Sequence, residues 1–157
     1  MTNAPAATTA IIAARLNDEL TALHAFVVLL ESEQQFLLNN DTDSLLSIAE
    51  TKSQAASQLA EMAAARRKVM LANNSDSMEA WLAKHAPASL PAWQNIRQLA
   101  NKAQQINTIN GELIQSGLRH NQQAISALQS ASQNAAGLYG PDGQPNLASS
   151  GRILGSV

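Results

Sequence analysis

The sequence contains no cysteine, and only 3% of its 157 residues are aromatic. The lack of cysteine excludes disulfides and thiolate chemistry, and it fits a reducing compartment. Because Phe, Tyr and Trp usually fill thick cores, their scarcity indicates thin seams packed by Ala, Leu and Ile. No apolar run approaches the ~20 residues of a membrane-spanning helix, and the N-terminus lacks a secretory signal pattern. We therefore expect a soluble, cytoplasmic protein without membrane insertion.

Charged residues are also scarce, at 14% of the chain, and the net charge is −2. This balance does not favour nucleic acid, which requires a basic face. The one basic run, Arg66-Arg67-Lys68, lies near the end of a predicted helix, where cations interact favourably with the helix dipole. We prefer that interpretation to a phosphate site, and we expect no nucleic-acid partner.

The N-terminal third of the chain carries a heptad pattern, which is typical of helices that pack side by side. Its members are Leu16, Leu20, Leu23, Val27, Leu30, Gln34 and Leu37, with Gln34 as the interruption. The pattern predicts a helix over residues 8–39, which ends at Asn39-Asn40-Asp41. Because this connection is short, the next helix, predicted over 42–72, must fold back antiparallel.

Two apolar registers compete on the second helix. One runs from Leu45 to Met70 and the other from Ile48 to Val69. Both include Lys52 and Arg66, whose aliphatic stems can lie on an apolar surface while their charges reach water. The sequence leaves the choice between the two registers open.

A short helix is predicted over residues 76–85, with Asp76 as its cap and Glu79 completing a capping box. The longest apolar pattern follows and predicts a helix over residues 90–136. Its members up to the middle are Trp93, Ile96, Leu99, Ala103, Ile106, Ile109 and Leu113.

Asn110-Gly111 is a strong turn signal inside this last helix. The apolar period resumes at Leu113, so we favour a continuous helix over a kink. Residues 137–157 are rich in Gly, Pro and Ser and predict a mobile tail. The fold class is therefore all-α: one domain over residues 1–157, an antiparallel long-helix bundle or coiled coil with three long helices, one short helix and a flexible C-terminal tail.

No residue pattern in the sequence indicates chemistry. None of His24, His85 and His120 has a second ligand at the i+3 or i+4 spacing of a helical metal site. No phosphate-binding loop, nucleophile elbow or zinc-protease motif occurs. We expect no catalytic residue, no metal and no cofactor, and we do not expect an enzyme.

The final helix is longer than its neighbours, and this difference predicts an interaction surface. At 1.5 Å per residue the helix spans roughly 69 Å, against about 48 Å for the hairpin. Part of it is thus expected to lack a partner within the chain, which would leave an exposed apolar stripe typical of a binding site. Self-association and packing on the far end of the hairpin are the alternatives. The residues expected to contact a partner are Leu113, Ile114, Leu118, Asn121, Ile125 and Leu128.

Small and polar residues interrupt the apolar pattern of this last helix. Asn107 and Asn110 lie within it, and a buried asparagine can specify helix register at a cost in stability. Gly111 and Gly117 would permit close approach of another backbone.

Several segments of the chain match a known family in their order and spacing. They are Leu29-Leu30-Glu31 with Phe36-Leu37, Asp41 through Lys52 and on to Arg66-Arg67, Asn107-x-x-Asn110-Gly111-x-Leu113-Ile114, and Leu138-Tyr139-Gly140-Pro141-Asp142-Gly143-Gln144. On these segments the chain resembles the FlgN-type flagellar export chaperones, which are cytoplasmic type III secretion chaperones.

The resemblance implies a chaperone of hook-associated proteins, the proteins of the hook–filament junction. Members of the family bind the C-terminal helical regions of these clients, prevent premature assembly and aid export, so export apparatus components are further candidate partners. The family's client binding is associated with the C-terminal helical region, which here is Leu113 to Leu128. The alternative function is a structural coiled-coil adaptor that acts by homo-oligomerisation.

Overall fold

The fold is that of a computed structural model, which describes residues 4–75 and 77–138. All of its long elements are α-helices, and these ranges contain no strand, so the predicted all-α class with three long helices and one short helix is confirmed. The predicted tail lies outside the described residues from 139 onwards. The helices are α1 (Ala4–Leu38), α2 (Thr42–Ala72), α3 (Met78–His85) and α4 (Leu90–Leu138), with a 3₁₀ turn (Pro87–Ser89) before α4.

Two residues after the end of both α1 and α2 lies an asparagine in the left-handed conformation. The φ angles are 54° at Asn40 and 49° at Asn74. After Asn40, the Asp41 N–H donates to the Phe36 carbonyl at 2.9 Å, and Ser75 donates to the carbonyl five residues before it at 3.1 Å. This bond pattern is the Schellman motif, and asparagine tolerates its positive φ better than most residues. The two Asn-Asn pairs thus end their helices by the same mechanism.

Side-chain caps begin the helices that follow. The Asp41 carboxylate accepts from the Ser44 hydroxyl at 2.6 Å and from the Ser44 N–H at 3.1 Å, and these bonds hold the pKa of Asp41 below its usual range. At α3 the cap is Ser77, whose hydroxyl accepts from the Ala80 N–H at 3.3 Å. The prediction of Asp76 as the cap is therefore wrong by one residue.

The described chain divides into two compact units, and the first ends at Ile114. Its core combines α1, α2, α3 and the first half of α4, and the heptad predicted on α1 supplies the largest share. The buried apolar residues are Ile12, Leu16, Leu23, Val27, Leu30, Met70, Met78, Trp81, Leu82, Ala86, Ile96, Ala103 and Ile106.

The structure resolves the two competing registers of α2. Every member of the register from Ile48 to Val69 is half-buried, whereas Ala49 and Ala56 of the other register are exposed. The inward face of α2 therefore follows the second register along most of the helix, and Met70 of the first register is buried at its C-terminal end. The second register carries four larger apolar residues, one alanine and the two cationic residues Lys52 and Arg66.

The second unit begins at Gln115, and α4 continues into it as a helix up to Leu138. The helix is unbroken at Gly111, as predicted. A Cβ atom built on Gly111 or on Gly117 would meet nothing within 4 Å. No other part of the described chain therefore packs against these glycines, and the expectation that they permit close approach of another backbone stays a prediction.

Candidate functional site

The first of two polar clusters joins three helices at Glu19. This buried carboxylate of α1 accepts from Arg66 of α2 twice, from Nε at 3.0 Å and from NH2 at 3.1 Å. The guanidinium group also lies over the ring of Trp93 on α4, with Cζ 4.6 Å from the ring centroid. Arg66 precedes the last turn of α2, so its interpretation as a partner of the helix dipole is wrong. It is a packing residue that connects α1 with α4.

The second cluster joins the same three helices at Glu33, which is also buried. Lys52 of α2 donates to both carboxylate oxygens, at 2.7 and 3.0 Å. From α4, Asn110 Nδ2 donates to Glu33 Oε2 at 2.8 Å and to the Leu30 carbonyl at 3.0 Å. Asn110 is completely buried, and its Oδ1 atom has no hydrogen-bond partner.

The two clusters have matched spacing along the hairpin. Glu19 and Glu33 are fourteen residues apart on α1, and Lys52 and Arg66 are fourteen residues apart on α2. Fourteen residues are two heptads, so both side chains on each helix emerge from the same face. The clusters therefore act as two rungs of an antiparallel hairpin. Within the first unit, α4 contacts both rungs and runs parallel to α1.

Two further ion pairs lie on the surface of the first unit. Lys102 Nζ is 2.6 Å from a carboxylate oxygen of Glu31, and Arg97 NH1 is 3.0 Å from one of Glu79. All four side chains are about half exposed, and exposed pairs of this kind contribute ~0–1 kcal/mol. The two rungs at Glu19 and Glu33 therefore do more to fix the positions of the helices than these surface pairs do.

The predicted contact residues fall in both units. Leu113 is half-buried and Ile114 is 43% exposed at the end of the first unit. The others, Leu118, Asn121, Ile125 and Leu128, lie in the second unit, and we call these four the C-terminal stripe. Its apolar members are exposed to 60%, 56% and 70% in chain order.

The C-terminal stripe lies on one side of its helix. Its residues are spaced by three, four and three, which places them within an arc of about 80° at 3.6 residues per turn. Every described residue from 115 to 134 is exposed, so nothing in this range is packed in a core. The stripe therefore presents apolar side chains at heptad spacing to solvent.

The polar residues around the stripe are mostly amides and hydroxyls. Between residues 115 and 134 the charged residues are Arg119 and, when protonated, His120. Covering amides with a partner costs less free energy than covering charges. The segment is thus better suited to burial in a complex than a helix with an ordinary charged face.

The described residues offer no site for a metal. No group of three or more His, Cys, Asp or Glu side chains converges in them as a metal site would require. Nor is any helix in the described ranges long and apolar enough to cross a membrane.

A known protein family matches this chain over residues 1–146, and its description is FlgN protein. The chain belongs to the FlgN family. Similar proteins include the flagella synthesis protein FlgN of Yersinia enterocolitica and that of its serotype O:8 / biotype 1B strain NCTC 13174 / 8081. Each is 30% identical over 141 residues, which cover 89% of this chain and 93% of the relative. No solved structure matches the chain. The family and these relatives support a role in flagella synthesis.

Proposed function

We propose that this protein is a flagellar export chaperone that binds the C-terminal helical regions of hook-associated proteins. In this role it prevents premature assembly of its clients and delivers them to export apparatus components in the cytoplasm. Membership in the FlgN family supports the flagellar role, and the resemblance of the sequence to export chaperones supports the choice of client.

One observation carries the proposal: an exposed helical segment with Leu118, Ile125 and Leu128 at heptad spacing. An amphipathic client helix can bury such a stripe with its own apolar face, as in other helix-in-groove complexes. Full burial of a Leu or Ile side chain contributes about 1.5–3 kcal/mol. Because these side chains are more than half exposed, burial on binding contributes about 1–2 kcal/mol for each of them.

Calorimetric titration with peptides from the C-terminal helices of hook-associated proteins tests this proposal. We expect saturable binding to the unmodified protein. The double substitution Ile125→Asp with Leu128→Asp removes two apolar contacts and places charge in the interface. We expect it to weaken binding by at least about a hundredfold, since each 1.4 kcal/mol changes affinity tenfold.

A matched control is available on the opposite side of the same helix. Ala127 and Ser130 are also three residues apart and exposed, so Ala127→Asp with Ser130→Asp introduces the same charge at the same spacing. We expect this variant to bind the peptides like the unmodified chain, with the same helical content by circular dichroism. Equal losses in the two double variants, or no binding by the unmodified protein, would contradict the proposal.

A homo-oligomeric coiled-coil adaptor is the second candidate, because the C-terminal stripe could equally pair with its copy in another chain. Light scattering separates the two functions. A mass that stays at twice the chain mass on dilution, and that falls to one chain in the Ile125→Asp, Leu128→Asp variant, would favour the adaptor. A monomer that binds the client peptides would favour the chaperone.

A further inference from the structure

The buried amide of Asn110 occupies a core position of α4 that an apolar residue would normally fill. Its neighbours in the seam, Ile106 before it and Leu113 after it, are apolar, and the adjacent Ile109 is 44% exposed. The apolar side chain of Ile109 thus faces outward, while the polar side chain of Asn110, the next residue, faces the core. This arrangement is not what burial of apolar area alone would select.

The contacts of Asn110 are specific to one axial position of α4. Its Nδ2 atom donates to the backbone carbonyl of Leu30 and to the carboxylate of Glu33 at the same time. The two acceptors lie one turn apart on α1, and Lys52 of α2 also donates to the carboxylate of Glu33. A slide of α4 by one turn, about 5 Å, would remove both acceptors and leave the amide buried against apolar side chains.

The cluster is also incompletely satisfied, because the buried Oδ1 atom of Asn110 has no hydrogen-bond partner. An unpaired buried acceptor opposes stability. A buried polar residue that opposes stability while excluding other alignments is the known use of asparagine in coiled-coil seams, where it specifies register.

We propose that Asn110, together with Glu33 and Lys52, selects a single register of α4 against the α1–α2 hairpin, at a cost in stability. The leucine-rich seam of α1 can contact apolar residues of α4 at axial positions one turn apart, and the buried amide is compatible with one of these positions. Asn110 is thus a positioning residue for α4. This inference does not depend on which partner the protein binds.

Spin-label distances in the full chain test the inference, and the lack of native cysteine makes labelling specific. Cysteines replace the exposed residues Asn17 on α1 and Asn107 on α4, which lie at different heights along the bundle. In the otherwise unmodified chain we expect one narrow distance distribution. In Asn110→Leu we expect a second population displaced by about 5 Å, the rise of one helical turn, with a melting temperature equal to or above that of the parent.

A second label pair and a second variant make the result decisive. Labels at Asn17 and at the exposed Ser57 on α2 report on the hairpin alone, and we expect this distance to stay unchanged. Should the Asn110→Leu substitution unfold the chain by isolating Glu33, the triple variant Glu33→Leu, Lys52→Met, Asn110→Leu replaces the whole cluster with apolar groups. We expect it to fold and to populate more than one register.

A structural role without register selection gives the opposite pattern. The melting temperature would fall while the distance between the labels at 17 and 107 kept a single, unshifted peak. That result in both the single and the triple variant would overturn the inference.

Discussion

The guanidinium group of Arg66 lies over the indole ring of Trp93, with 4.6 Å between Cζ and the ring centroid. The same group forms a two-point hydrogen bond with Glu19. A planar guanidinium can make both contacts at once, whereas an ammonium cannot reproduce either geometry. Both contacts therefore require arginine at position 66, and this requirement can be tested by substitution.

We predict that Arg66→Lys destabilises the first unit by about 2 kcal/mol although the charge is retained. The loss combines one hydrogen bond to a buried carboxylate with the stacking on Trp93. Urea unfolding followed by circular dichroism measures the change. The neighbouring Arg67 is less constrained, because no ion pair or ring contact holds its guanidinium among the described residues. Arg67→Lys is therefore the matched control, and it should leave the midpoint of urea unfolding unchanged. Equal midpoints for the two variants would contradict this role of Arg66.

The two glycines of α4 should respond differently to alanine. Neither would clash, because a Cβ at Gly111 or Gly117 meets nothing within 4 Å, and alanine is favoured over glycine in a helix by about 1 kcal/mol. Gly111 belongs to the packed first unit, so Gly111→Ala should raise its melting temperature by a few degrees. Gly117 lies in the exposed segment, so Gly117→Ala should raise helical content and leave the melting temperature unchanged. Thermal melts and far-ultraviolet spectra of both variants check this, and a destabilised Gly111→Ala would contradict it.

Hydrogen exchange should divide α4 in two. Amides between residues 96 and 113 belong to the packed unit and should exchange through its global unfolding, whereas those between 115 and 134 lie on a helix whose side chains are all exposed. An unpacked helix of this length and amide-rich composition is marginal in water. We expect exchange at least about a hundredfold faster in the second range, measured by mass spectrometry on peptic fragments. Uniform protection along α4 would mean that the stripe is covered, and a dilution series would then show whether a second copy covers it.

The cap of α2 should make stability depend on pH in the acid range. Hydrogen bonds from Ser44 lower the pKa of Asp41 below the ordinary value of 3.8. A carboxyl whose pKa is lower in the folded state stabilises that state above the unfolded value, and the contribution is lost as pH falls through the folded value. Asp41→Asn retains a capping oxygen but does not titrate. The difference in melting temperature between the two proteins should be constant above about pH 5 and shrink below pH 3.8. A difference that did not change with pH would contradict the shift.

Local patterns predict much of the fold because they depend on neighbours in sequence. The heptad of α1 identifies Leu16, Leu23 and Leu30 as core residues, and all three are buried. The Asn-Asn pairs predict where α1 and α2 end, since positive φ is a local demand on the residue.

The polar clusters could not be predicted because their partners are far apart in sequence. The sequence favours solvated ends for Lys52 and Arg66, whereas each pairs with a buried glutamate of α1. On α4 the apolar pattern favours Ile109 as a core residue, and Asn110 is buried in its place. The local sequence thus favours the wrong one of these two positions, because the choice depends on acceptors that α1 supplies. That the C-terminal stripe binds a partner stays a prediction, since only the exposure of its residues is established.

The fourteen-residue interval between the two rungs has a consequence for how chains of this kind can change length. A single residue inserted between Glu19 and Glu33 turns the rest of α1 by about 100° and moves one carboxylate off the shared face. An insertion of seven residues restores the face. Lys52 and Arg66 then no longer match the spacing of the two glutamates unless α2 gains the same number of residues. The stretch of α4 between Trp93 and Asn110 must lengthen as well. Insertions and deletions inside this interval therefore preserve both rungs only when whole heptads are gained or lost in all three helices together. We expect length variation to concentrate at the turns and beyond residue 114.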